Sequence, residues 1–172
     1  MVALVNTAIR GVQFLWALLV LALVGNMIAS AFAGNPAIIN YDMFVAVFSM
    51  LSLLYLIPAA IKESFASPLI MLVLDVLNAL FYFCGAVATA AYLGARSCNN
   101  NAYTSSNFIT NGSTNTASRC RKAQASTTFL FFNFFLFAAS AVLSALQGKN
   151  EGMNLRGGMG GIRRGGPAMS QV

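Results

Sequence analysis

Apolar residues in this chain run in four long blocks: residues 11–33, 41–61, 68–93 and 124–146. Each block reaches the roughly 20 apolar residues that a helix needs to cross a bilayer. Two of the breaks are short. Residues 34–40, GNPAIIN, combine Gly with Asn-Pro and read as a tight turn. Residues 62–67 form a second connector, after which Pro68 starts the third block where its missing N–H costs little. Pro58 falls in the last turn of the second block, where a kink or an early ending is expected. The third break, residues 94–123, is long and rich in Asn, Ser and Thr. The pattern predicts an all-α membrane protein: a four-transmembrane-helix antiparallel bundle over residues 1–146. The tail, residues 147–172, is Gly-rich and basic; it lacks the apolar residues of a core and reads as disordered.

The third block is the most informative. Read at heptad spacing, Asp75, Asn78, Tyr82, Gly85, Thr89 and Tyr92 fall on one face, against the aliphatic and aromatic residues of the others. Such a seam is what a helix shows to its neighbours in a left-handed bundle. An acid near the centre of a spanning helix costs about 2.5–3.5 kcal/mol on insertion scales, so Asp75 needs a partner or a purpose. It lies roughly 10 Å along the helix from Pro68. Equal depths on the antiparallel neighbours point to Tyr55 and Ser140 as donors. Gln13 and Arg10 lie nearer the surface, and the Arg10 side chain is long enough to bring a counter-charge inward. Asn133 lies closer to the other side, and Asp42 is placed at the interface. With Asp75 nearly alone, a structural role is expected over transport, since transporters usually carry several such groups or broken helices.

Composition agrees with a membrane setting. Hydrophobic residues make up 58% and charged residues 8%, against about 25% charged in globular proteins. Histidine is absent, which removes the usual general base and the commonest metal ligand. No enzyme activity, cofactor or metal is expected. The net charge is +6, but its basic residues lie outside the apolar blocks and suit anionic headgroups better than nucleic acid.

The first block ends in Ala31-Phe32-Ala33, which resembles a signal-peptidase site, but it exceeds the about 7–15 residues of a signal h-region and reads as an uncleaved helix. Gly25, Ala29 and Ala33 give it a small-residue stripe for close packing. Cys98 and Cys120 sit at the two ends of the long loop and predict a disulfide that ties the third helix to the fourth. Its closure is worth about 3 kcal/mol in the chain-entropy model. Cys84, inside the third block, reads as a reduced packing residue. Asn111-Gly112-Ser113 is a glycosylation sequon. Sequon and cysteines together place the loop outside and both termini in the cytoplasm. The Lys and Arg distribution, with Arg10, Lys62, Lys149 and the tail arginines on the terminal side, votes the same way. Arg156, Arg163 and Arg164 are candidate contacts for anionic lipid headgroups. The phenylalanines of residues 129–137 read as a lipid-exposed surface with some core contacts.

LDVLN at residues 74–78, RSCNN at 96–100, SRCRKAQA at 118–125 and the terminal SQV accompany this order of helices and loops. Together they resemble the fungal MARVEL-domain family of the non-classical export protein 2 type. The resemblance implies a MARVEL-like bundle in the fungal plasma membrane. It implies an organiser of ordered lateral domains of the eisosome type, responsive to sphingolipid. It also implies sterol, sphingolipid and anionic lipids as partners, homo-oligomers or lateral clusters, and contact with cytosolic eisosome coat proteins. A proton-coupled or solute transporter, or an export factor, using Asp75 is the rival reading.

Overall fold

The computed structural model describes residues 2–32, 34–62, 67–94 and 96–150, with the backbone alone for 2–4 and 147–150. Its elements are α1 (Val2–Ala29), α2 (Ala37–Ile61), α3 (Pro68–Leu93), a short α4 (Asn101–Ser106) and α5 (Thr116–Asn150). The four long helices are each long and apolar enough to span a membrane.

Helix ends follow local chemistry, and several differ from the pattern reading. The first helix runs from residue 2 to residue 29 where 11–33 was expected. Beyond it, Ser30 Oγ donates to Asn26 O at 2.8 Å, and the Phe32 N–H leaves the helix direction to bond Gly112 O in the long loop. The second starts at Ala37, not residue 41, because Pro36 serves as its N-cap and the Pro36 carbonyl accepts from Ile39 N–H. Pro58 lies inside this helix without ending it; the chain continues to Ile61, and the Lys62 N–H closes on Pro58 O. Pro68 opens α3, and Gly94, at φ 65°, closes it with a bond to Ala90 O. That backbone conformation is strained for any side chain with a Cβ. The fourth long helix starts at Thr116 rather than residue 124. Asn115 Oδ1 accepts from Ser118 N–H, and the polar turn carrying Arg119 and Cys120 stays helical.

Packing is a ring. α1 lies beside α2, α2 beside α3, α3 beside α5 and α5 beside α1. α1 and α3 therefore face each other across the diagonal, without close backbone approach. Buried Ala17, Val20, Val24, Leu53, Leu56, Tyr82, Leu130 and Phe137 fill the interior. Leu51, Leu54, Val76, Leu80, Phe132 and Phe135 are exposed on the outside, as a lipid-facing surface requires. Residues 96–115 form a cap over one end. Asn100 Oδ1 caps α4 by accepting from the Ala102 and Tyr103 N–H groups. The Tyr103 hydroxyl donates to Leu93 O, and Thr110 Oγ1 donates to Thr104 O at 2.6 Å.

Candidate functional site

Charged and polar side chains converge along the inside of the ring. The α3 seam is buried from Asp75 through Asn78, Tyr82 and Gly85 to Thr89. It stops there: Tyr92 is 56% exposed and packs on Phe108, 6.0 Å between ring centroids. The expected sixth member is thus a surface residue, and the neighbouring Leu93 takes the buried position of that last turn instead. The same spacing recurs on α1, where Arg10, Gln13, Ala17, Val20, Val24 and Met27 are all buried. It recurs again on α5 in Ala123, Ser126, Leu130, Asn133, Phe137, Ser140 and Ser144.

At the end near the chain termini, Arg10 reaches across the diagonal to Asp75. Its Nη1 donates to Oδ1 at 2.5 Å and its Nη2 to Oδ2 at 2.8 Å, a two-pronged ion pair with both partners fully buried. Ser144 Oγ adds a third donor to Oδ2 at 3.2 Å. Gln13 extends the network: its Oε1 accepts from Arg10 Nη1 at 3.1 Å and its Nε2 donates to Ser140 Oγ at 3.0 Å. The expectation for Ser140 is corrected accordingly. Ser140 reaches Asp75 only through Gln13 and Arg10, and Ser144, one turn on, makes the direct bond. The Tyr55 hydroxyl accepts from the Ser67 N–H at 3.3 Å, at the mouth of α3.

Midway, the Tyr82 hydroxyl donates to Ser49 Oγ at 2.9 Å, and its ring stacks on Phe137. Asn133 Nδ2 donates to Gln13 O at 3.3 Å, and Asn78 Nδ2 donates to Leu74 O at 2.8 Å. At the far end, Thr89 Oγ1 donates to Asp42 Oδ2 at 2.7 Å. Asp42 is fully buried within the bundle, in the second turn of α2. Its Oδ1 has no hydrogen-bond partner among the described residues. That oxygen lies against Gly85, where a Cβ would fall 2.8 Å away.

The cap is anchored to this end. Cys98 and Cys120 form a disulfide with Cα atoms 5.6 Å apart. Buried Arg119 donates to Ile109 O, Met27 O and Asn35 Oδ1, joining the cap, α1 and the α1–α2 turn. Asn111 is exposed, and Ser113 of the same sequon is buried. Cys84 is free and exposed on α3, so it is not a packing residue of the interior. Arg156, Arg163 and Arg164 lie outside the described residues.

Chemically, the arrangement holds the bundle together. Residues 75 and 89 are separated by roughly 21 Å of helix rise, so Asp75 and the Thr89-bound Asp42 do not form a working carboxylate pair. Arg10 was foreseen only as a long reach from the surface, and the heptad repeat of α1 is the signal that places it inside. Asp42 was assigned no partner and Ser144 was missed, although both sit on the same repeat in their own helices.

The model of a membrane-associating domain named MARVEL matches residues 3–143. The chain is 33% identical to "Non-classical export protein 2" of Saccharomyces cerevisiae over the whole of both chains. It is 39% identical, again over both full lengths, to "Non-classical export protein 102" of Candida albicans. "Non-classical export protein 2 homolog 1" of Saccharomyces cerevisiae is 31% identical over 93% of this chain and 87% of that protein. No solved structure matches the chain.

Proposed function

The chain belongs to the MARVEL membrane-associating domain family, in its non-classical export protein 2 branch, and we propose that it organises ordered lateral domains of the plasma membrane rather than carrying a solute. The observation that carries this reading is the Arg10–Asp75 pair. The acid expected of a transport site is held by a two-pronged counter-ion and a serine hydroxyl, an arrangement suited to fixing helix positions. The outer faces of all four long helices are apolar and open to lateral contact.

In this reading the protein is a multi-pass organiser, not an enzyme, with both termini cytoplasmic, acting in eisosome-type furrows. It responds to sphingolipid and associates with itself, with sterol-rich lipid and with cytosolic coat proteins. Arg156, Arg163 and Arg164 would contact anionic headgroups, at about 1 kcal/mol for each basic residue near the surface. Replacing all three with Ala should disperse clusters on membrane imaging while insertion persists; unchanged clustering would sink the role of the tail.

The word "export" in the relatives' names favours a second reading, in which Asp75 serves transport. Proteoliposome flux separates the two. Flux in the natural protein that disappears in Asp75→Asn, with folding intact, would replace the organiser reading.

A further inference from the structure

The capped end carries charge that the seam does not account for. Residues 94–124 include Arg96, Arg119, Arg121 and Lys122 and no Asp or Glu. Arg119 is turned inward onto three oxygens, and Lys122 Nζ donates to Asn26 Oδ1. Arg96 and Arg121 are exposed, and they flank the disulfide.

Their proximity is built in. Arg96 precedes Cys98 by two positions and Arg121 directly follows Cys120. Two further bonds fix the same junction: Gln124 Nε2 donates to Arg96 O at 3.0 Å, and Arg121 Nη2 donates to Asn99 Oδ1 at 2.9 Å. Arg121 and Gln124, three positions apart, share a face of α5. The Arg96 guanidinium lies over the Tyr103 ring, 5.9 Å from its centroid. None of these contacts neutralises a charge. The acids among the described residues, Asp42 and Asp75, are both buried in the interior. Two like charges are thus carried on one disulfide-tied junction at the surface without a counter-ion, and an anion bound there would offset them. The α3 span ends at Leu93, which places the junction at headgroup level.

We propose that Arg96 and Arg121, held together by the Cys98–Cys120 junction, form a binding site for the phosphate of an anionic phospholipid in the leaflet on the cap's side. The phosphate oxygens accept from the free N–H groups of both guanidiniums, and the acyl chains run down the exposed apolar faces of α3 and α5. The site is a specific lipid contact of the kind the organiser reading invokes, and it rests on that reading only for its purpose. Binding is read on purified protein and clustering in cells, so each can fail alone.

The test is native mass spectrometry of the full chain, titrated with phosphatidylglycerol and with phosphatidylcholine of the same acyl chains. Phosphatidylglycerol should be retained in preference. Arg96→Gln with Arg121→Gln should lower its occupancy about tenfold, the scale of losing charge-assisted hydrogen bonds, with the unfolding midpoint lowered only slightly because the Arg121–Asn99 bond it also removes is exposed. Lys62→Gln, which removes one charge at the opposite end, should leave occupancy as it was. Reducing the disulfide should lower occupancy with both arginines present. The proposal is overturned if the double Gln variant retains the lipid like the natural protein, or if Lys62→Gln loses it equally. Displacement of the lipid by inorganic phosphate at equal concentration would reassign the site to a free anion, and unchanged occupancy after reduction would contradict the clamp.

Discussion

Two carboxylates are buried at opposite ends of one polar seam, and the bundle treats them differently. Asp75 receives a guanidinium from the helix across the diagonal and a hydroxyl from α5. Asp42 receives one hydroxyl, from the adjacent helix, and its second oxygen rests on the bare backbone of Gly85. Removing a charge from water costs several kcal/mol per ion, and an ion pair offsets that cost only with good geometry and further hydrogen bonds. The Asp75 end meets both conditions. It also links α1 to α3, which touch nowhere else through their backbones, so it can set the register of the whole ring. The Asp42 end links only neighbours, α2 and α3. One acid is therefore a cross-brace for three helices, α1, α3 and α5, and the other is a local contact that depends on the absence of a Cβ.

The largest expected effect comes from breaking the brace on one side. Arg10→Ala leaves Asp75 buried without its counter-charge and should destabilise the protein by about 3–5 kcal/mol, read as a lowered unfolding midpoint in detergent or bilayer. If Arg10→Ala unfolds no more easily than the natural protein, the two ends are equivalent and the comparison fails. Next is Gly85→Leu, which drives a side chain into Asp42 Oδ1. Overpacking of this kind costs about 1–3 kcal/mol, and the loosening should appear as hydrogen exchange in α2 and α3 with α1 and α5 unaffected. A change spread over all four helices would give the Asp42 end the wider role reserved here for Asp75. Thr89→Val is smaller. It removes the hydroxyl donor to Asp42 and should cost about 1–2 kcal/mol, whereas Asp42→Asn, which can still accept from Thr89, should come close to the natural stability.

The seam of α3 was legible because its polar residues stand out against an aliphatic background at a fixed spacing. Its partners were less so. Depth counting depends on where each helix begins, and both α2 and α5 start earlier than their apolar blocks. With that displacement Asp42 is buried inside the bundle and Ser144, one turn from Ser140, is the direct donor. Arg10 was overlooked as a core residue because a charge just before an apolar block looks like its boundary. The helix through it continues to Val2, and the repeat running Arg10, Gln13, Ala17, Val20 would have shown the inward face. The α4 turn carried a readable cap in Asn100, but it was hidden among other Asn and Ser residues with no apolar periodicity to mark it. Tyr92 shows the reverse failure: a strict 3.5-residue repeat selects Tyr92, whereas a helix of 3.6 residues per turn buries Leu93 at that level.

The most direct test of the cross-brace is a double-mutant cycle on Arg10 and Asp75, with unfolding measured for Arg10→Met, Asp75→Leu and both together. If the pair is structural, each single variant is strongly destabilised. The double variant should then recover natural stability or exceed it, because two well-packed apolar side chains replace a desolvated ion pair, and it should still cluster in the membrane. A double variant that folds as well as the natural protein but no longer clusters would contradict the account and make Asp75 a working residue rather than a brace.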